Sequence, residues 1–527
     1  MRHRDILYAK LKNQPFNIKL QEIYKKYRNL LNVTIKIAKD VYFYKQISNV
    51  KGNTKKIWEF INEALDNKSN KTNFIPTILN RQNQIVTDNI SIANEFNSFF
   101  VSIGTNISNK LKSHLNIRKF TFLNDIPVND KSIFLNPIST DKIKKYILNI
   151  KPACSFNRWE LTNTILKAIT VNILTPLQYI FNLVLTTGVF PHSFKNTIIF
   201  PLHKKLNKSD CTNYRPIALT ITLSKVLEKC IKDRLYNFLE TCSIFSCNQF
   251  GFRRNKGTDK DLMTVISHIY NKLDMNRAVI GLFLDVKKAL DSVDHSILLA
   301  KLEKYGIRGN ANKLICNFLE NRIQQVRVND SLSDYLISNH GIPQGTVLGP
   351  LLFIVYINDL LNIKCNGSIF SFADDTSIII DDINKNHIQS KSTHVLSIVK
   401  TWFDNNLLEL NLTKTCFMNF SINKLVSTGK NYLKAHLINC NEFNINTMSA
   451  ISNDSKCNCT YISSVQQVKY LGITIDANLK WQNHIINTNR KLRLLFYKFK
   501  TISNILSPIT MRMVFVLGVG VVHTIYI

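Results

Sequence analysis

The sequence predicts an α+β fold with a helical N-terminal extension, on three observations. From about Ser139 onward, short apolar runs of strand length alternate with segments of helical period. Two of these runs, Ser368–Phe372 and Ser377–Ile380, flank Ala373-Asp374-Asp375-Thr376 and read as a tight hairpin of buried strands. Ahead of that region the chain is basic and its apolar residues recur at helical intervals.

Taken in order, Lys19 to about Lys45 places Ile23, Leu30, Ile37 and Val41 at broadly helical spacing. Amphipathic segments follow at Ile57–Leu65 and Ile92–Phe100, joined by Asn- and Lys-rich connectors such as Asn67–Asn73. Residues 1–138 are therefore assigned to an extension or linker. In 139–278, Ile198–Leu202 reads as a buried strand and Ser224–Glu240 as a helix. In 279–475, Val279–Val286 reads as a buried strand, with helices at Ser296–Tyr305, Asn310–Asn321 and roughly Leu351–Leu361. A polar insert at 426–464, rich in Asn and Ser and holding three Cys, interrupts the pattern. Residues 476–527 close the chain.

Lys and Arg number 68 against 36 Asp and Glu, a formal net charge of +32. The excess lies in short clusters along the chain, among them Lys25-Lys26-Tyr27-Arg28, Arg253-Arg254 and Arg490-Lys491-Leu492-Arg493. Distributed basic charge favours a polyanionic partner, of which nucleic acid is the commonest. The 11 cysteines are irregularly placed, and only Cys457-Asn458-Cys459 is close-set. No CxxC or Cys/His quartet has structural zinc spacing, so free thiols in a reducing, intracellular compartment are expected. The charged start Met1-Arg2-His3-Arg4-Asp5 lacks the apolar core of a signal peptide. The apolar run Met513–Ile527 is short of the roughly 18–20 residues that span a bilayer, so no membrane partner is expected.

The chemistry centres on carboxylates. An unpaired buried charge is costly, so adjacent Asp374 and Asp375 at a strand turn suit a divalent cation. The apolar run Val279–Leu284 ends on a third carboxylate, Asp285. If the fold joins the three, the site is all-oxygen and suits Mg²⁺, which keeps several waters and bridges to phosphates. Two such ions stabilise both the attacking and leaving oxygens of an in-line phosphoryl displacement. Between the carboxylates lies Gly341-Ile342-Pro343-Gln344-Gly345-Thr346-Val347-Leu348-Gly349-Pro350, a turn into a helix. Gly345 would admit another backbone or a nucleotide closely. Gln344 offers amide contacts, and the helix start offers N–H groups that favour phosphate.

The ordered set Phe283-Leu284-Asp285, Gly341–Pro350 and Phe372–Thr376 resembles the first three polymerase motifs of reverse transcriptases from LINE-like non-LTR retrotransposons, the jockey-related group. Asn213-Tyr214-Arg215-Pro216-Ile217 resembles the family's fingers motif, and Gln249-Phe250-Gly251-Phe252-Arg253 the segment before the palm. Leu410–Thr415 resembles the fourth motif and Lys469-Tyr470-Leu471-Gly472 the primer-grip region. The likeness covers about Thr187–Trp481.

The resemblance implies a right-hand polymerase. Its fingers lie in 139–278 and its palm in 279–475. A partial thumb follows in 476–527, and the reverse transcriptase domain spans about 187–475. It implies that Asp285, Asp374 and Asp375 hold two Mg²⁺, or Mn²⁺ in their place, with the Val286 carbonyl an extra ligand. Arg215, Lys204 and Lys205 would neutralise the incoming triphosphate, Gln344 and Gly345 would line the nucleotide and template track, and Lys414 would lie near the leaving pyrophosphate. Tyr470, Leu471 and Gly472 would grip the primer. Asp291, Asp294 and His295 recur after the first motif and read as structural, capping the helix from Ser296. Leu290 stands where the family generally has Phe, an aromatic that crowds a ribose 2′-hydroxyl.

The implied partners are an RNA template, a DNA primer or target and dNTPs, with action in the nucleus or cytoplasm. Two blocks depart from the family pattern: Ser155-Phe156-Asn157-Arg158-Trp159-Glu160, and Asn255-Lys256-Gly257-Thr258. The chain is expected to lack the family's endonuclease domain and to be truncated in or after the thumb. The expected function is RNA-directed DNA polymerisation; the alternative is a catalytically inactive, nucleic-acid-binding remnant.

Overall fold

A computed structural model describes residues 2–49, 54–65, 75, 77–80, 82–114, 121–150, 162–204, 206–422, 431–436, 440, 457, 459–503 and 506–514. Lys205, the block Ser155–Glu160 and positions 515–527 lie outside the described residues. Among the described residues no helix is long and apolar enough to cross a membrane. The chain forms two compact units, Met1–Thr72 with Trp481–Ile527, and Asn73–Lys480.

The smaller unit is helical, with helices Arg2–Asn13, Ile18–Asn49, Thr54–Ala64 and Gln482–Ser503. Its core is built from Phe43, Ile47, Ile57, Ile61, Ile502, Leu506 and Val514. The apolar positions that mark the long helix in sequence have another fate. Ile23, Leu30, Ile37 and Val41 are exposed, and the burial on this helix falls at its C-terminal end, on Phe43 and Ile47.

The larger unit carries the strands. β1 (Ile78–Leu79) and β2 (Ile85–Val86) pair with each other. β3 (Thr197–His203) and β4 (Tyr214–Thr220) form an antiparallel pair. β5 (Ala278–Leu284) is buried along almost its whole length. β6 (Arg322–Val328) runs parallel to β3 and is followed by the short β7 (Ser331–Leu332) and β8 (Leu336–Ser338). β9 (Ser368–Phe372) and β10 (Asp375–Asp382) make a hairpin. After β11 (Cys416–Phe420) come β12 (Tyr432–Lys434) and β13 (Tyr461–Ser464), then the hairpin of β14 (Gln467–Tyr470) and β15 (Ile473–Asp476).

Two sheets organise the unit. One has the order β4-β3-β6-β7, with β8 also on β6. Helix Asn89–His114 packs on β6, β7 and β8 and extends well past the Ile92–Phe100 segment legible in sequence. Phe96, Phe100 and Ile103 join Ile199, Tyr214, Ala218 and Val326 in one cluster. Residues 73–138, read in sequence as part of an extension, thus contribute a helix to the core of the larger unit.

The second sheet has the order β12-β13-β11-β5-β10-β9. Helices Thr258–Asp274 and Ile388–Asn405 pack on it. Helix Gly349–Tyr356 ends at Ile357, where φ −94° and ψ 0° leave the α region, and a 3₁₀ turn Asn358–Asn362 completes the segment expected as one helix. The alternation of strands and helices, and the buried hairpin around the Asp pair, follow the sequence expectation of a mixed fold.

The ten cysteines among the described residues are free thiols, as expected from the sequence. His436, Cys440, Cys457 and Cys459 place their ligand atoms within 4.8 Å of one another. Sequence spacing does not show the group because its two halves, His436 with Cys440 and Cys457 with Cys459, lie apart in the chain and meet only in the fold.

Candidate active site

The site is built on β5 and β10. Their antiparallel register pairs Thr376 with Leu284, and one further step sets Asp375 opposite Asp285. On the other side Asp375 pairs with Phe372, leaving Ala373-Asp374 as a two-residue turn. Ala373 has φ 58°, a left-handed value that costs an L-residue of order 1 kcal/mol. The turn is held from outside. Gln249 Oε1 accepts the N–H groups of Ala373 (3.2 Å) and Gly251 (2.9 Å), and the Phe250 N–H donates to the Ser371 carbonyl. A Cβ on Gly251 would lie 2.4 Å from the Ala373 nitrogen, so only glycine permits this approach.

Asp285 leaves the end of β5. Its carbonyl accepts the Asn411 N–H at 2.8 Å, and the Lys287 N–H donates to the Glu409 carbonyl at 2.9 Å. These bonds flank the Val286–Leu410 bridge, so the Val286 carbonyl points away from that segment. Asn411 Nδ2 donates to Asp285 Oδ2 at 2.9 Å, and Lys414 Nζ stands 3.7 Å from the same oxygen.

Charge accumulates here. Burial raises the Asp375 carboxyl to about 6, with Asp374 and Asp285 adding repulsion and Arg215 opposing it. Asp374 is also raised, by burial first and by Asp285 among the charges, while Arg215 and Lys204 pull it down. Three oxygen-rich groups under mutual repulsion form a donor set that fits hard divalent cations such as Mg²⁺.

Arg215 projects from β4, paired in register with Leu202, and is exposed. Burial lowers the Lys204 ammonium, with Arg215 and Lys414 adding repulsion, while Asp291 and Asp285 favour its charge. Arg215, Lys204 and Lys414 thus share one electrostatic neighbourhood with the carboxylates. Leu290 is half-buried against the main core, and its carbonyl accepts the Ile342 N–H at 2.8 Å.

The turn before helix Gly349–Tyr356 is occupied by the protein itself. The Gln344 carbonyl accepts the Ala218 N–H at 2.6 Å, and its side-chain Nε2 donates to both Asp291 oxygens at 2.8 and 3.0 Å. Gly345 has φ 114°, and a Cβ there would meet the Ala218 carbonyl at 2.6 Å. The close approach is therefore to backbone. The expectation that this helix start offers its N–H groups to phosphate is overturned. Buried Glu228 accepts from Val347 N–H (2.7 Å) and Leu348 N–H (3.1 Å), and Thr346 Oγ1 accepts from Gly349.

Asp294 caps its helix, accepting from Ser296 and Ile297 N–H, while Asp291 turns to Gln344 and His295 Nε2 meets the Gly341 carbonyl. Tyr470 is buried. Its hydroxyl donates to Asp261 Oδ2 at 3.0 Å and accepts from Ser377 Oγ at 3.3 Å, one strand position beyond Thr376. Half-buried Leu471 (φ 47°) and exposed Gly472 (φ 91°) form the tip of the β14–β15 hairpin. Tyr470 is thus the anchor and Leu471-Gly472 the protruding part. Sequence reading assigned no role to Gln249, Asn411 or Glu228. For Gln249 and Asn411 the available signal was a place inside a recognised block, and for Glu228 only a place in a helical segment; the partner of each lies more than a hundred residues away.

Comparison with known proteins agrees with this geometry. The family described as reverse transcriptase (RNA-dependent DNA polymerase) matches residues 204–475. A probable RNA-directed DNA polymerase from transposon BS of Drosophila melanogaster is 27% identical over 398 residues, covering 72% of this chain and 40% of the relative. The RNA-directed DNA polymerase from mobile element jockey of the same organism is 27% identical over 370 residues, covering 69% and 38%. A probable polymerase from the X-element transposon is 31% identical over 223 residues, covering 41% and 24%. The chain thus spans about 40% of the length of the first two relatives. With Asp285 and the Asp374-Asp375 pair carried by adjacent strands of one sheet and the family match across more than half of its residues, the chain belongs to the reverse transcriptases of non-LTR retrotransposons.

Proposed function

We propose that this chain is an RNA-directed DNA polymerase that adds dNTPs to a primer 3′-hydroxyl on an RNA template. The observation that carries the reading is the β5–β10 register, which lines up Asp285 and Asp375 beside Asp374 and within electrostatic reach of Arg215 and Lys204. The six-stranded sheet serves as the palm and the β3–β4 pair as part of the fingers of a right-hand polymerase, and residues 476–527 contribute to its thumb.

Asp285, Asp374 and Asp375 hold two Mg²⁺, with Mn²⁺ able to replace them and the Val286 carbonyl as an added ligand. When bound, the ions supply positive charge for the attacking and leaving oxygens of an in-line displacement. Arg215 and Lys204 face the triphosphate, and Lys414, beside Asp285, sits where a leaving pyrophosphate needs a cation or a proton. Asn411 fixes Asp285 and Gln249 fixes the Asp374 turn, so the carboxylates are held before substrate arrives. Leu290 backs the sugar of the incoming nucleotide. Gln344 orients Asp291 and, with Gly345, borders the template track, and Leu471-Gly472 presents the hairpin tip to the primer.

Primer extension on an RNA template with dNTPs and Mg²⁺, beside Asp374→Ala/Asp375→Ala, tests the reading. Extension by the unaltered chain and its loss in the double variant is expected. Folded protein that binds template–primer but never extends it identifies the inactive, nucleic-acid-binding alternative.

A further inference from the structure

The edge of the six-stranded sheet away from β9 ends in the β12–β13 hairpin, whose connection is long and polar. Lys434 pairs with Tyr461, and the Ala435 N–H donates to the Thr460 carbonyl at 2.7 Å. One step further along the same register come His436 and Cys459. Cys457 precedes Cys459 by two residues, the spacing at which an extended chain presents side chains on one face. Cys440 follows His436 by four.

We propose that His436, Cys440, Cys457 and Cys459 form a structural zinc site at the β12–β13 edge of the sheet. The four donor atoms lie within 4.8 Å of one another. His436 Nδ1 is 3.4 Å from Cys440 Sγ and 3.7 Å from Cys457 Sγ. A tetrahedral zinc with Zn–S about 2.3 Å and Zn–N about 2.0 Å needs N···S edges of about 3.5 Å, so the ring nitrogen and two sulfurs already stand at bonding geometry around one ion. Three sulfurs and one nitrogen are the soft, tetrahedral donor set that selects zinc over Mg²⁺.

The surroundings are those of a built site. His436 is buried, and the three cysteines are half-buried. The His436 N–H donates to Ser397 Oγ at 3.3 Å, which fixes this end of the hairpin against helix Ile388–Asn405. Lys434 Nζ stands 3.6 Å from Cys457 Sγ. Three thiolates and one Zn²⁺ leave one negative charge in excess, and the Lys434 ammonium offsets it as an outer partner. The site bears on the polymerase sheet itself. β13 pairs with β11, and β11 pairs with β5, the strand that ends at Asp285. Closing a long loop with a metal removes conformational freedom that the unfolded chain would otherwise regain.

The test is elemental analysis of the full chain, purified under reducing conditions and passed through metal-free buffer, followed by replacement of zinc with Co²⁺. One zinc per chain, and a cobalt form with the intense visible bands of tetrahedral thiolate coordination, are expected. Cys457→Ser/Cys459→Ser should lose both signals, whereas Cys247→Ser, at an exposed thiol outside the group, should keep both. Folded wild-type chain with no retained zinc and no tetrahedral cobalt spectrum overturns the proposal. So does a disulfide within the group, seen as missing thiols on titration in denaturant, or iron with labile sulfide in place of zinc. Because the wild-type chain gives the deciding spectra, poor folding of a variant does not obscure the result.

Discussion

At the scale of single residues, the proposed role of Leu290 is a choice that the carboxylates cannot make, that of the sugar. It follows Asp285 by five positions, its body packs on the core, and its carbonyl is tied to Ile342. The family generally carries Phe there, whose flat ring blocks a 2′-hydroxyl; leucine is smaller and leaves that space open. Steric discrimination of this size is worth about 1–3 kcal/mol. Leu290→Phe is therefore expected to raise dNTP-over-rNTP selectivity by about tenfold or more. Single-nucleotide incorporation kinetics measure it, and unchanged selectivity would remove Leu290 from the sugar site. Asn411 and Gln249 act differently, Asn411 by donating to the Asp285 carboxylate and Gln249 by accepting from the backbone of the turn that carries Asp374.

At the scale of elements, the packing of one helix start shows why a motif can be recognised correctly and its chemistry misassigned. Helix Gly349–Tyr356 begins after a Gly- and Pro-rich turn, which in sequence resembles an anion-binding helix start. The N–H groups just ahead of it, of Val347 and Leu348, are instead taken by Glu228 from helix Thr222–Thr241. Burial holds the Glu228 carboxyl above the ordinary range, with these N–H bonds and buried Arg322 opposing. Glu228→Ala leaves two buried donors unsatisfied, at about 1–3 kcal/mol each. Glu228→Gln keeps an acceptor oxygen in place. Arg322 loses its counter-charge in both variants, so the difference between them reports the cap together with the Ser224 bond and the side-chain volume that Ala also removes. Urea unfolding should find the Ala variant less stable than the Gln variant by about 2 kcal/mol or more; equal stabilities would sink the capping role.

At the scale of the whole molecule, the +32 charge is a statement about binding more than about fold. Each phosphate neutralised on a single strand contributes about −0.7 to the slope of log K against log salt, and about −0.9 on a duplex. A groove making six to ten such contacts loses about 10³-fold or more in affinity between about 50 and 200 mM salt. Fluorescence anisotropy with a labelled RNA–DNA template–primer is expected to show this steep linear fall. Salt-independent binding would mean that the lysines and arginines lie away from the nucleic acid.

Much of the architecture was legible in the sequence because its signals are local. A buried strand shows as a short apolar run, as at β5, β9 and β10, and a helix shows as apolar spacing, as at Thr222–Thr241. The motif order and the Asp residues at strand ends are equally local, so the family and the candidate carboxylates could be read without coordinates. Local patterns did not tell which apolar stripe is buried, as exposed Ile23, Leu30, Ile37 and Val41 show. What only the tertiary structure decided is who meets whom across the chain: Gln249 on the Ala373 turn, Glu228 on the Val347 and Leu348 amides, and His436 with Cys440, Cys457 and Cys459. Such partners are chosen by the packing of elements far apart in sequence, where loop closure carries a small, length-insensitive cost and leaves no periodic mark on the residues it joins.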